Sequence, residues 1–397
     1  MPKLLIVNIT CNQGSTGKIS EQVGVMMKKR GWDVYYAHGA RRVNHSKLKT
    51  IPFSSVKGEY LHALKSLLLD DDGLGSTRAT KELVEQIKEI RPDVIQLHNL
   101  HGYYLNYKVL FEYLHTTNIP VVMTLHDCWS FTGHCVHFVT AGCDKWKRGC
   151  SNCPIYNQAP KKSLIDRSAR NYQLKKNLIA SYKHLSIVPV SEWLGGLVEQ
   201  SIYKVHPIHV IQNGIDLSIF MPQKKNQGKF RILGVANPWS KDKGLYDVYK
   251  LREILPLEDY DITLVGLSEK QVGELPAGIN GIVRTSNQQE LAELYAQSNV
   301  LINPTYADTF PTINLEALAC GTPVITYRTG GSPEAIDEKT GVIVDQGNVV
   351  ALANAIMQMK DNPLSSADCR KRAEALFDKD KCFEKYVELY EELVNSK

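Results

Sequence analysis

Short apolar runs alternate with amphipathic helical stretches along almost the whole chain, and the pattern is laid down twice. Leu4 to Asn8, Val34 to Ala37, Val94 to Leu97, Val121 to Leu125 and Leu185 to Val190 are runs of the kind expected for parallel strands covered on both faces. Stretches such as Ile19 to Lys29 and Thr80 to Ile90 supply the crossover helices between them. After a polar Pro- and Gly-containing segment, Met221 to Lys229, a second series begins: Arg231–Val235, Ile262–Val265, Gly281–Arg284, Val300–Asn303, Val324–Thr326 and Val342–Val344. The expectation is an α/β protein of two Rossmann-like, doubly wound domains facing a cleft. The first spans 1–215, with a Cys-rich loop at 128–153, and the second 216–380. A periodic helix at 381–397 closes the chain.

A chain of 397 residues can fill two cores of ordinary size. No apolar run reaches the ~18–20 residues that span a bilayer, and the first residues run straight into a strand, so a cytoplasmic protein is expected. Charge is divided unevenly: residues 1–215 hold 27 Lys+Arg against 16 Asp+Glu, and residues 216–397 hold 20 against 26. Basic clusters at Lys28-Lys29-Arg30, Arg41-Arg42 and Lys161-Lys162 suit either a solvated face or anionic lipid headgroups. They lack the interleaved aromatics and reader motifs of a nucleic-acid site, so no nucleic-acid partner is expected.

The densest chemistry lies at residues 305–323. Asp308-Thr309-Phe310-Pro311 follows the apolar run 300–303, and a helix from Ile313 to Cys320 is closed by Gly321, with Pro323 beyond. Free amides at such a helix start, near Thr309 to Thr312, can hold hydroxyl or phosphate oxygens, while Glu316 can accept hydrogen bonds from vicinal hydroxyls. Seven residues separate Asp308 from Glu316. In this spacing the chain resembles the retaining glycosyltransferases of family 4, which have the GT-B fold and an E-x7-E signature. Asp stands here for the first Glu, one methylene shorter.

The resemblance extends over nearly the whole chain. It implies that Glu316 holds the donor ribose, that Asp308 with Thr309, Phe310, Pro311 and Thr312 holds the transferred sugar, and that Lys243, just before Gly244, neutralises the leaving diphosphate. The Arg that the family places after the first strand of this domain is missing; Asn237 stands near its place and Lys241 is a substitute cation. Arg284, at an expected strand end, lies where relatives hold the nucleobase. In the first half, Asn12-Gln13-Gly14-Ser15-Thr16-Gly17 departs from a Walker A loop, with Asn12 in place of its first Gly and Ile19 in place of its Ser/Thr. Gly17 is expected beside donor phosphates or the acceptor. His126 matches the family histidine of the donor sugar, with Asp127 as the group that orients its ring; His98 and His101 are acceptor-side candidates.

Five cysteines fall between 128 and 153, four of them, Cys135, Cys143, Cys150 and Cys153, spaced for one tetrahedral site with a C-x2-C knuckle. A structural zinc is the expectation; reduced thiols, a disulfide or an iron–sulfur cluster are the alternatives. No cofactor is expected for catalysis. The implied reaction moves a sugar from a UDP- or GDP-sugar to a glycan or lipid-linked glycan in bacterial surface-polysaccharide assembly, such as capsule, exopolysaccharide or lipopolysaccharide, with peripheral contact at the inner face of the cytoplasmic membrane. A GT-B UDP-sugar epimerase and a non-catalytic nucleotide- or carbohydrate-binding protein remain as alternatives.

Overall fold

Two six-stranded sheets, all parallel, organise the protein in a computed structural model that describes residues 1–158 and 161–396. One sheet has β1 (Lys3–Asn8), β2 (Asp33–His38), β3 (Lys49–Pro52), β4 (Val94–Leu97), β5 (Val121–Leu125) and β6 (Leu185–Pro189) in the order β3-β2-β1-β4-β5-β6. The other has β7 (Phe230–Val235), β8 (Tyr260–Val265), β9 (Ile279–Ile282), β10 (Val300–Asn303), β11 (Val324–Tyr327) and β12 (Gly341–Val344) in the order β12-β11-β10-β7-β8-β9. β4, β5, β6, β10 and β11 are buried at every residue, which is why they read as predominantly apolar runs.

The chain divides into two compact units, Met1–Ile211 with Phe383–Lys397, and Gln212–Cys382. The first division falls ahead of the 215/216 boundary because the segment 212–215 is already tied into the second unit. Gln212 donates to Glu334 at 3.0 Å, and the Ile215 amide donates to the Phe377 carbonyl at 2.8 Å. The helix Lys379–Asn395 starts before 381 and contributes Tyr390 against Trp32, and Glu384 against Arg30, to the first unit. Lys397, the last residue of the expected closing helix, lies outside the described residues.

Three departures from the sequence reading have identifiable reasons. β3 was not expected: Lys-Thr-Ile-Pro is a short edge strand with one half-buried residue and no apolar run. β9 lies two residues earlier than expected, since its partner β8 runs out at Val265, opposite Ile282. The helix at Ile19 instead starts at Gly14, so the Gly-rich stretch forms its first turn.

Close approaches between loops depend on glycine at two places. Gly244 has φ +76°, and a Cβ there would lie 2.2 Å from the Pro304 carbonyl oxygen; Gly330 has φ +54° and would bring a Cβ within 1.7 Å of the Asp308 carbonyl oxygen. Gly244→Ala should therefore destabilise the second unit by ~1–3 kcal/mol. Gly196, within the helix Glu192–Val198, has open space, and its change to Ala should be neutral or stabilise by ~0.5–1 kcal/mol. Urea unfolding followed by tryptophan fluorescence checks the contrast; equal effects would refute the close-approach account.

Candidate functional site

Adjacent parallel strands deliver their following loops to the same sheet edge. β7 and β10 pair, with Ile302 opposite Gly234, so the loop after β7 meets the loop after β10. A short 3₁₀ turn, Lys241–Lys243, is fastened there by the amide of Tyr306 donating to the Asp242 carbonyl at 2.7 Å. From this turn Lys243 Nζ donates to Asp308 Oδ2 at 2.7 Å. The two side chains keep 33% and 23% of their exposure, enough for a ligand to reach both. Lys241 and Asn237 are exposed on the same loop.

The helix after β10 runs from Thr312 to Ala319, with Pro311 at its N-cap position making no side-chain cap bond and the Asn314 amide donating to the Pro311 carbonyl at 3.2 Å. Phe310 and Pro311 are buried and hold the turn, Phe310 against Phe377 with ring centroids 6.0 Å apart; Thr309 is buried as well. Asn314 anchors the helix to the sheet through Asn303 at 2.9 Å and Ser332 at 3.0 Å. Glu316, half-buried, takes a hydrogen bond from the Tyr295 hydroxyl at 2.8 Å. Thus Asp308, Lys243 and the Thr312 helix start gather around one loop pair, with Glu316 further along the helix. Arg284 is exposed two residues beyond β9.

In the first unit, β4 and β5 are neighbours, and the residues that follow them meet: His98 Nδ1 and His126 Nε2 are 2.9 Å apart, with rings stacked at 5.2 Å. Burial pulls the His126 imidazole down to about 4, His101 adding to the shift and Asp127 opposing it; burial and the neighbouring His126 hold His98 well below its ordinary range. Both are neutral at pH 7. Asp127 does not play the part expected of it: its carboxylate turns to His101 Nε2 at 2.6 Å and to the Trp129 amide at 2.8 Å, while His126 is met by His98. Neighbouring residues leaving a strand point to opposite sides, which separates the two dyads. Burial pushes the Asp127 carboxyl up, but His101 beside it outweighs that and holds it below the usual range. Gly17 lies inside the helix Gly14–Lys29, where a Cβ would meet Thr10 Oγ1 at 2.6 Å.

Several residues that sequence reasoning passed over prove central. Asp70, Asp71 and Asp72, all buried, end the helix Val56–Leu69 and bind His134, the Lys65–Arg167–Arg170 group, and Lys161 respectively. Only their clustering as Asp-Asp-Asp after an apolar helix could have signalled them. Tyr306 and Tyr327 both donate to Asp247, at 2.7 and 2.9 Å, behind the Lys243 turn. Cys135, Cys143, Cys150 and Cys153 line a single small cavity.

The neutral histidine pair sets an acid limit. His126 is protonated near 4 when folded and near 6.5 when unfolded, so the unfolded chain binds the proton first as pH falls. Stability is complete above about pH 6.5 and is lost progressively toward about pH 4. As the ring keeps some solvent contact, roughly 1–2 kcal/mol should be lost by about pH 5. Urea midpoints measured across that range should fall more steeply in the wild type than in His126→Gln; parallel slopes would contradict the assignment.

Two family models match consecutive parts of the chain: "Glycosyltransferase Family 4" over residues 22–219 and "Glycosyl transferases group 1" over residues 219–376. WcaC of Escherichia coli K12, a glycosyl transferase assigned to colanic acid biosynthesis, is 28% identical over 320 residues, 76% of this chain and 77% of that protein. Among solved structures, sucrose-phosphate synthase from Thermosynechococcus elongatus superposes with a TM-score of 0.75 at 18% identity, covering all of both chains. HepE of Anabaena, in complex with UDP-glucose, gives 0.67 at 14%, covering 98% of this chain and 99% of that one. With its two Rossmann-like units of GT-B type, the chain belongs to the family 4 glycosyltransferases.

Proposed function

We propose that the protein is a retaining glycosyltransferase that moves a sugar from a nucleoside diphosphate sugar to a glycan or lipid-linked glycan in surface-polysaccharide assembly. The observation that carries this is the Lys243–Asp308 contact beside the start of the Thr312–Ala319 helix. A cation and the positive end of a helix suit a departing diphosphate, and a carboxylate one helix turn away suits sugar hydroxyls. Lys243 has three donors, so one can stay on Asp308 while others meet phosphate oxygens. In this reading Glu316, steadied by Tyr295, accepts from the ribose hydroxyls. The likeness to WcaC supports polysaccharide assembly, and the UDP-glucose held by HepE supports a UDP-sugar donor. On the other unit the neutral His98–His126 pair offers an uncharged hydrogen-bonding group for a sugar hydroxyl.

A lipid-linked acceptor is supported by the surface of the first unit. Along the helix Val56–Leu69, Val56, Tyr60, Leu61, Leu64, Leu67 and Leu68 are exposed, Leu61 at 58% and Leu64 at 52%. Leu164 extends this patch, its amide bonded to the Leu67 carbonyl, and Arg41 lies over the Tyr60 ring at 5.1 Å. An apolar helix face with a cationic neighbour is suited to the headgroup–acyl boundary of an anionic membrane.

Two measurements test the reading. Purified protein offered UDP-, GDP-, ADP- and dTDP-sugars with lipid-linked acceptors should release nucleoside diphosphate from one donor and form a product of unchanged anomeric configuration. Lys243→Met should lower kcat by ~10²–10³. Glu316→Ala should abolish release. Isomerised donor without release would point to an epimerase, and binding without turnover to a binding protein. In the second, co-sedimentation with vesicles containing phosphatidylglycerol should be lost in Leu61→Glu/Leu64→Glu while soluble-acceptor turnover persists; retained binding would remove the membrane contact.

A further inference from the structure

The loop leaving β5 carries a cluster that the transfer reaction does not use. Cys135, Cys143, Cys150 and Cys153, together with His134, Lys145 and Trp146, surround a cavity of about 20 Å³, somewhat more than the ~10–15 Å³ that one water-sized particle needs. The thiols come from four separate places in an irregular segment whose regular structure is limited to the 3₁₀ turns at 129–131, 139–141 and 145–147. Such a segment has little backbone ladder of its own to hold it.

Two buried polar groups stand at the cluster. His134, which lines the cavity, is 6% exposed and fixes Nδ1 on the Asp70 carboxylate at 2.6 Å, while its Nε2 has no hydrogen-bond partner. Lys175 is 1% exposed, and its Nζ donates to the carbonyl oxygens of Trp129 and Thr132 at 2.6 and 2.9 Å, both neutral acceptors. Burial pulls Lys175 down to about 7, and Asp72, Cys150, Asp70 and Cys135 act against that shift. A backbone donor also reaches a sulfur: the Gly133 amide donates to Cys150 Sγ at 3.2 Å. An amide aimed at sulfur and a buried lysine beside a thiol cluster are arrangements that stabilise negative charge on sulfur.

We propose that Cys135, Cys143, Cys150 and Cys153 bind one structural zinc as a closed tetrathiolate, with the Asp70–His134 hydrogen bond anchoring the loop and Lys175 offsetting the excess negative charge of the centre. Four thiolates on a divalent ion leave a net double negative charge, which the Lys175 side chain and the Gly133 amide offset. As the side chains stand, no three His, Cys, Asp or Glu groups among the described residues meet closely enough to hold an ion. The thiols ring the cavity, and binding draws them inward, so metal loading and loop ordering are coupled. The consequence reaches the first unit's edge, because the same loop begins at His126-Asp127 and Lys175 grips it at Trp129 and Thr132.

The full-length protein, purified from zinc-supplemented medium without chelator, should contain about one zinc per chain by plasma mass spectrometry. After chelator treatment under reducing conditions, titration with cobalt(II) should give the intense d–d bands and sulfur charge-transfer bands of a tetrahedral thiolate site. Cys150→Ser should weaken zinc at least ~10-fold, His134→Phe and Lys175→Met should weaken it while retaining one site, and Cys320→Ser, a buried cysteine elsewhere, should leave it unchanged. Limited proteolysis should cut between 133 and 166 only in the chelated protein. If Cys150→Ser does not fold, the cobalt spectrum of the wild-type protein decides. Zinc-free protein that stays fully ordered, a disulfide among the four cysteines, iron with inorganic sulfide, or a cobalt spectrum without sulfur charge transfer would each overturn the proposal.

Discussion

Parallel pairing is the constraint from which the functional geometry follows. A parallel ladder needs a crossover after every strand, so each sheet puts all its strand-leaving loops at one edge. Strand order then decides which loops meet. β7 lies beside β10, which brings Lys243 to Asp308; β4 lies beside β5, which brings His98 to His126. Neither contact needs the residues to be near in sequence, and both would vanish under a different strand order.

Around these edges the protein places charge unequally. In the second unit Lys243, Asp308 and the half-buried Glu316 keep solvent access and form a polar site suited to an anionic ligand. In the first unit burial removes charge from His98 and His126, while the carboxyl of Asp127, beside His101, is held below its usual range. His126 and Asp127, one residue apart along the chain, thus differ in electrostatic character, because burial dominates at the first and hydrogen-bonding and charged neighbours at the second.

The Asp70–Asp71–Asp72 triplet joins features that otherwise look independent. It ends the helix with the exposed leucine face, and it binds His134 of the cysteine loop, Arg167 and Arg170 beyond it, and Lys161. Buried carboxylates are costly unless paired, so the triplet both requires and positions these cations. A loop of about forty residues between β5 and the helix Ser168–Leu178 is thereby held at its far end by acids contributed from sixty or more residues earlier in the chain.

What the sequence alone determined was whatever depends on local pattern. The apolar runs at 94–97, 121–125 and 300–303 became strands with those bounds, since strands buried on both faces are apolar along most of their length, with a single buried polar residue each, Gln96, Thr124 and Asn303. The Asp308–Glu316 spacing placed its helix to within one residue, because Pro311 and Gly321 punctuate it locally. The edge strand β3 escaped notice, having no buried face to write into its residues. Tertiary structure decided the partners: Asp127 with His101, His126 with His98, Glu316 with Tyr295, and Asp70 with His134. Each joins residues between 21 and 64 positions apart, and such pairings are set by strand order and loop packing, which leave no periodic trace in the chain.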